Sequence, residues 1–348
     1  MAAEPVICHI NLAKGFRGGE RQTELLIREL SRLEWKQRLV VRKNSPLPQR
    51  VADVQSMDIV EVPSNVISAG MAARGSALVH AHEARSIHAG LVASLMYQIP
   101  YIGTRRVTNP FKRSLIRDLA YRRADCISVL STSISSNVLR RYPNTRTEII
   151  PSAHADFART HVRNDAFVAP YRGKTVIGHV GALVRPHKGQ HNIIDVARRW
   201  HDRRPNVQFV LVGSGKDEME FRELANGLTN VEFAGQVTNV DDYLDLFDLF
   251  VFPSLMEGLG STLLDAMCFG LPIVASNVGG IPDIIDDGVN GLLVEVDNSV
   301  ELGDALERII NDPALQVSMR EASLKKADRY SSVAMASSYD ELYRSILD

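Results

Sequence analysis

The chain has 348 residues, of which 45% are hydrophobic and 23% charged, and its net charge is −1. This composition excludes a disordered or low-complexity chain, and the length suits two domains of ordinary size. Cys8, Cys126 and Cys268 lack metal-type spacing and sit in apolar contexts, which reads as buried thiols in a reducing cytoplasm rather than a disulfide framework.

The near-zero net charge hides an asymmetry. Residues 1–160 carry 23 Lys/Arg against 13 Asp/Glu, and residues 161–348 carry 17 against 28. A basic half and an acidic half imply different partners. The densest basic run holds Arg105, Arg106, Lys112, Arg113, Arg117, Arg122 and Arg123, opposed only by Asp118. It reads either as a solvated helix face or as a surface for an anionic lipid or a phosphorylated acceptor. Nucleic acid is not expected as a partner of this run. No signal peptide is read at the N-terminus. Ser86 to Thr104 lacks acids, Lys and Arg, but His88, Gln98 and Pro100 interrupt it. It reads as a helix followed by a strand, not a membrane span.

Taken in order, Val6 to Leu12 is an apolar strand leading into Lys14-Gly-Phe-Arg-Gly18-Gly19-Glu20-Arg21. A helix follows, with Leu26, Leu30 and Leu33 at helical spacing. Glycines after a first strand let the backbone approach a ligand, but a GxGxxG pattern is not met. Arg38 to Lys43 and Ile59 to Val62 read as strands. Another, Ala77 onward, ends in His80, His82 and Glu83. His-x-His could ligate zinc, yet no third ligand stands at a sensible spacing. Tyr101–Thr104, Cys126–Leu130 and Glu148–Ile150 complete a first sheet. Strands alternating with helices predict a parallel, doubly wound arrangement. Pro151 to Tyr171 has weak periodicity and reads as a linker.

The second half opens with a strand over Thr175–Val180 and a loop, Gly181-Ala182-Leu-Val-Arg185-Pro-His187-Lys188-Gly189. Strand and turn follow at Gln208–Gly215, and again at Val231 to Gln236 and Val237. Leu246 to Phe252 reads as a buried parallel strand. It feeds a loop with Glu257, Gly258 and Gly260, then a helix capped by Ser261 with Thr262 and Asp265 in its first turns. Strand, glycine loop and helix N-terminus make an anion site. Asp265 lies one turn past Ser261 on the same helix face. Carboxylates beside an anion site suit a ligand carrying both phosphates and hydroxyls. Pro272–Ser276, the Val278–Pro282 loop, Leu292–Val294 and terminal helices complete the chain.

Glu257 and Asp265, with the following Ala-Met and Gly270-Leu-Pro, resemble the paired-acid Glu-x7-Glu motif of retaining GT-B glycosyltransferases of family 4, the group 1 type. Two departures are plain: the second acid is Asp265, and Ala182 stands where the family carries an arginine beside the donor diphosphate. The resemblance implies two Rossmann-like domains facing across a cleft. Residues 1–165 form the acceptor side, residues 170–329 bind the nucleotide sugar, and a helix over 330–348 packs back on the first. It implies that Glu257 and His82 contact the donor sugar, that Lys188 binds the diphosphate, and that Asp265 contacts the ribose. The same resemblance places Gly18, Gly19, Gly258, Gly260, Ser261 and Thr262 about the donor, with Gln236 and Val237 by the base. Arg185 or His187 would replace the missing arginine. Glu20, Arg21, Arg105, Arg106, Lys112 and Arg113 are the candidates for acceptor or membrane contact.

The implied function is transfer of a sugar from a nucleotide-sugar donor, of UDP type, with retention. The acceptor would be a glycan or glycolipid of lipopolysaccharide or another surface polysaccharide. No cofactor and no metal are expected, since no Asp-x-Asp occurs at a strand end. A cytoplasmic protein, peripheral at the inner membrane face, is the expected setting. The rival readings are a GT-B epimerase and a catalytically degenerate sugar-nucleotide-binding protein.

Overall fold

The computed structural model describes residues 4–55, 57–155, 157 and 165–348. The chain forms two compact units. Residues up to Ala153 and Tyr330–Asp348 make the first, and His154–Arg329 the second. The division therefore falls at Ala153, ahead of the expected 165. Asp156 and residues 158–164 of the expected linker lie outside the described residues.

The first unit is a seven-stranded parallel sheet. Its strands are β1 (Val6–Asn11), β2 (Lys36–Arg42), β3 (Met57–Val62), β4 (Leu78–Ala81), β5 (Tyr101–Arg105), β6 (Cys126–Val129) and β7 (Thr147–Ile149). Their order is β3-β2-β1-β4-β5-β6-β7. Parallel strands covered on both faces need near-continuous apolar sequence, and β4 and β6 are buried at every residue. The helix Ser332–Leu347 belongs to this unit. Its Met335, Tyr339, Leu342 and Tyr343 pack into one core with Ile7, Leu26, Leu30 and Trp35. Trp35 Nε1 donates to Asp340 Oδ1 at 2.7 Å, fixing that helix to the unit.

The second unit is a six-stranded parallel sheet. It comprises β8 (Thr175–Val180), β9 (Val207–Val212), β10 (Val231–Gly235), β11 (Leu249–Phe252), β12 (Ile273–Ser276) and β13 (Gly291–Val294). The order is β10-β9-β8-β11-β12-β13. Ile177, Val196, Trp200, Phe209, Val251 and Leu306 stand in its largest core cluster. Among the described residues no helix is long and apolar enough to cross a membrane. Cys8 and Cys126 are buried as expected, but Cys268 is only partly so.

In each sheet the strand order reverses once, between β1 and β4 in the first and between β8 and β11 in the second. Connections run to opposite faces on either side of such a point, and a crevice opens at the carboxyl ends of the two strands. The sequence motifs gather at these two points.

Candidate functional site

In the second unit, the loop after β8 carries Lys188 and the loop after β11 carries Glu257. Strand adjacency brings them together: Lys188 Nζ lies 2.5 Å from Glu257 Oε2. The side chains are 24% and 15% exposed, so the pair is partly screened by solvent. The Lys188 ammonium also sits 5.0 Å from the centroid of the Phe252 ring. Glu257 Oε1 accepts the Gly258 N–H at 3.1 Å.

Two glycines hold this pair in place. Gly189 ends the Lys188 loop at φ +65°, where a Cβ would stand 1.8 Å from the Pro253 carbonyl oxygen. Gly279, in the loop after β12, has φ +62°, and a Cβ there would stand 1.9 Å from the Glu257 carbonyl oxygen. Only glycine permits both the left-handed backbone and this approach.

The helix Ser261–Cys268 begins beside Glu257, and its cap is Gly260 at φ +90°. Ser261 is thus the first helical residue and not the cap. A glycine cap offers no side chain to satisfy the first N–H groups, which makes the amides of Ser261 and Thr262 candidates for an anion. One turn on, Asp265 Oδ1 accepts the Ala155 N–H at 2.7 Å. Asp265 also borders a cavity of about 570 Å3 with His154, Phe157, Cys268 and Phe269. That cavity is lined by neither Lys188 nor Glu257.

Arg185 has partners on the neighbouring helix. Its guanidinium pairs with Glu220 at 2.5 Å and its backbone N–H with Asp217. Both contacts tie it to the start of the neighbouring helix Glu218–Leu224. His187 is exposed in the same loop. Gln236 and Val237 follow β10, at the sheet edge, where Ser214 Oγ donates to Gln236 Oε1 at 3.0 Å.

In the first unit, Gly18 and Gly19 open the helix Gly18–Arg32. Glu20 spends its carboxylate on that helix, with Oε2 accepting the Arg17 N–H at 2.8 Å. That contact gives Glu20 a helix-capping role. Arg106 stands beside this helix start, its Nε at 3.7 Å from where a Cβ of Gly19 would be. Its Nη1 reaches Ser152 Oγ at 3.5 Å, and its Nε has no partner among the described residues. Burial pulls the guanidinium below the usual arginine range, opposed by Tyr339 and Glu20. Such a cation calls for an anion. Arg105 lies over the Phe111 ring at 3.9 Å and donates to the Asn109 carbonyl. Lys112 and Arg113 are exposed, and Arg21 lies in the first turn of the helix.

His82 is buried, 1% exposed, just past β4. The third imidazole absent from the sequence spacing comes from β1. His9 Nδ1 lies 2.9 Å from His82 Nε2, and a nitrogen of each of His9, His80 and His82 falls within 4.8 Å of the others. His80 is held on both sides, by Tyr343 Oη at 2.6 Å and Thr104 Oγ1 at 2.7 Å. Burial pushes His9 down to about 4, and pushes His80 and His82 well below the ordinary histidine range. Three adjoining imidazoles near Arg106 are therefore neutral at pH 7. His179 on β8 is similarly buried and lowered to about 4, with Nδ1 3.0 Å from the Val251 carbonyl.

Residues 174–312 match the family described as glycosyl transferases group 1. Alpha-maltose-1-phosphate synthase of Mycolicibacterium smegmatis is 28% identical over 280 residues, covering 69% of this chain and 71% of the relative. D-inositol 3-phosphate glycosyltransferase of Corynebacterium jeikeium is 25% identical over 305 residues, covering 77% and 72%. Among solved structures, Anabaena Alr3699/HepE in complex with UDP and glucose superposes with a TM-score of 0.82 at 19% identity, covering 98% of this chain and 100% of that one.

Proposed function

We propose that the chain is a group 1 glycosyltransferase of GT-B fold and that it moves a sugar from a UDP-sugar to an anionic acceptor with retention at the anomeric carbon. The observation that carries this reading is the Lys188–Glu257 pair at the β8/β11 reversal, beside the open helix start at Gly260. A cation, free amides and a carboxylate at one strand-end crevice match a diphosphate joined to a polyol. The UDP and glucose held by the Anabaena protein support the donor class.

In this reading the acceptor hydroxyl attacks the anomeric carbon on the face that the diphosphate leaves. The carbon–phosphate oxygen bond breaks, and the departing phosphate oxygen takes the hydroxyl proton. No enzyme carboxylate is then required as nucleophile. Lys188 and the amides of Ser261 and Thr262 stabilise the charge that grows on the diphosphate. Glu257 accepts from sugar hydroxyls. Asp265, its rotamer fixed by the Ala155 N–H, serves the ribose. Gln236 and Val237 serve the base. No metal or cofactor is assigned a part.

Arg106 is assigned to an anionic acceptor group, and the amides at Gly18 and Gly19 to the donor phosphates. Lipopolysaccharide or another cell-surface polysaccharide would supply such a group. The names of the two relatives point to phosphorylated small molecules, which belong to the same chemical class. Peripheral docking on a cytoplasmic membrane face fits the helix Leu115–Arg123. Leu115 is 88% and Ile116 65% exposed, and Lys112, Arg113, Arg122 and Arg123 surround them at the surface. Apolar side chains ringed by cations match an anionic bilayer surface.

The test is thermal stability against UDP, GDP, ADP and dTDP and their sugar forms, followed by turnover of the sugar form that stabilises. A ligand specific to the folded state at 100 times its dissociation constant adds about 2.7 kcal/mol. Stabilisation by the UDP series with release of UDP supports the reading. Binding without turnover moves the degenerate binding protein to the front.

A further inference from the structure

A chain of hydrogen bonds ends at His82, and its direction is fixed by a group that can only accept. Gln37 Nε2 lies 3.0 Å from the Ile27 carbonyl oxygen. A carbonyl has no proton, so the Gln37 amide must turn its NH2 toward Ile27 and its Oε1 toward His9. That oxygen lies 3.0 Å from His9 Nε2, so His9 Nε2 carries the proton. In a neutral imidazole the other nitrogen is then bare. His9 Nδ1 accepts, and His82 Nε2, 2.9 Å away, carries the second proton. Neutral His82 is left with a bare Nδ1, which is buried and has no partner among the described residues.

We infer that Gln37 and His9 are positioning residues, which lock His82 as its Nε2–H tautomer so that Nδ1 offers a lone pair to a hydroxyl of the bound carbohydrate. The three relay residues are 2% exposed or less, so water does not compete for these protons. They sit on neighbouring strands β2 and β1 and at the end of β4, next to the order reversal of the first sheet. Burial keeps His9 and His82 uncharged at neutral pH.

The tautomer carries specificity. A bare nitrogen attracts a hydroxyl proton and repels a phosphate oxygen. Arg106, which acts electrostatically on His82, does the reverse. This side of the first unit therefore sorts its ligand, with the anionic group to Arg106 and a hydroxyl to His82. The alternative use of three clustered imidazoles is a metal ion. It would require the proton shared between His9 and His82 to leave, and both nitrogens of His80 already face hydroxyls.

The carbohydrate part of this inference rests on the transferase reading, whereas the tautomer does not, and the two are tested apart. Full-length protein labelled with 15N at histidine is observed by long-range 1H–15N correlation, with His82→Gln used to assign the His82 signals. The expected spectrum at pH 7 shows His82 protonated at Nε2 and bare at Nδ1. A His82 protonated at Nδ1, or on both nitrogens, overturns the relay. So does loss of the Nε2 proton on adding Zn2+ alone. In Gln37→Leu the His82 signals should shift toward a mixture of tautomers, and kcat/KM for the sugar nucleotide should fall about tenfold, the loss of one hydrogen bond. Unchanged signals and kinetics in Gln37→Leu overturn it, and if that variant does not fold the wild-type spectrum alone decides. A wild type that shows the expected tautomer but turns over no sugar nucleotide leaves the relay standing and removes the transferase reading.

Discussion

Lys188 Nζ and Glu257 Oε2 form an ion pair across the two central strands of the second sheet. The pair does two things. It neutralises a lysine that would otherwise face the free amides at Gly260, and it holds the Glu257 carboxylate in one rotamer. In the proposed reaction a diphosphate arriving at the site would compete with Glu257 for Lys188 and release the carboxylate toward the sugar. Lys188→Ala should lower kcat by about a hundredfold or more, the scale seen on removing one donor to a developing oxyanion. The dissociation constant for the sugar nucleotide should change far less, because leaving-group charge develops in the transition state. Glu257→Gln should lower kcat while leaving UDP affinity equal or tighter. Single-turnover rates with separately measured donor binding distinguish these, and an unchanged rate in Lys188→Ala removes its role.

Gly279→Ala should impair the enzyme without touching a ligand. The new Cβ would stand 1.9 Å from the Glu257 carbonyl oxygen at φ +62°, so the Glu257 loop must move. The left-handed backbone alone costs about 1–2 kcal/mol for a residue with a Cβ. The expected outcome is a lowered melting temperature together with lost turnover. Gly173→Ala, at φ +78° with open space around it, should lower the melting temperature and leave kcat alone.

Most of the fold was legible because parallel strands are apolar runs and the connecting helices break them at glycine and polar turns. The helices Val66–Met71 and Thr132–Arg141 were not read. The first is short, and the second is serine-rich with only Ile134, Ser135 and Val138 buried. At the site, Lys188 and Glu257 were each recognisable from local motifs. Their contact was not, since it joins residues 69 apart and depends on β8 lying against β11. His9 was missed for the same reason, being 73 residues from His82. Its only local signal was a polar residue inside an apolar strand. The Arg185–Glu220 pair was equally illegible, since nothing in the Arg185 loop announces Glu220, 35 residues on.

The buried histidines give stability a pH dependence of known sign. His9 and His179 titrate near 4 in the folded chain against 6.5 unfolded. Between those values the unfolded chain binds protons that the folded chain refuses, so stability rises with pH through the window. It is fully present above about 6.5 and is lost as pH falls toward 4, by up to about 3 kcal/mol for each group. His80 and His82 are shifted the same way. The melting temperature should drop steeply from pH 6.5 to 4, and His179→Asn, which keeps a donor toward the Val251 carbonyl, should flatten the slope. A profile equally steep in that variant removes His179 from the account.

The exposed apolar residues of the helix Leu115–Arg123 predict where the protein meets a surface. Leu115, Ile116 and Leu119 are 88%, 65% and 45% exposed, and exposed apolar residues grouped on one helix and rimmed by polar ones suit an interaction site. The surrounding cations each add about 1 kcal/mol near an anionic leaflet, falling with salt. The protein should sediment with phosphatidylglycerol-containing vesicles at low salt and release at high salt, with little binding to pure phosphatidylcholine. Leu115→Glu with Ile116→Glu should abolish sedimentation while kcat on a soluble acceptor stays within about twofold, since surface changes rarely exceed 0.5 kcal/mol in stability. Binding that survives this double substitution but disappears in Arg122→Ala with Arg123→Ala would assign the contact to charge alone, with the apolar residues left to another partner.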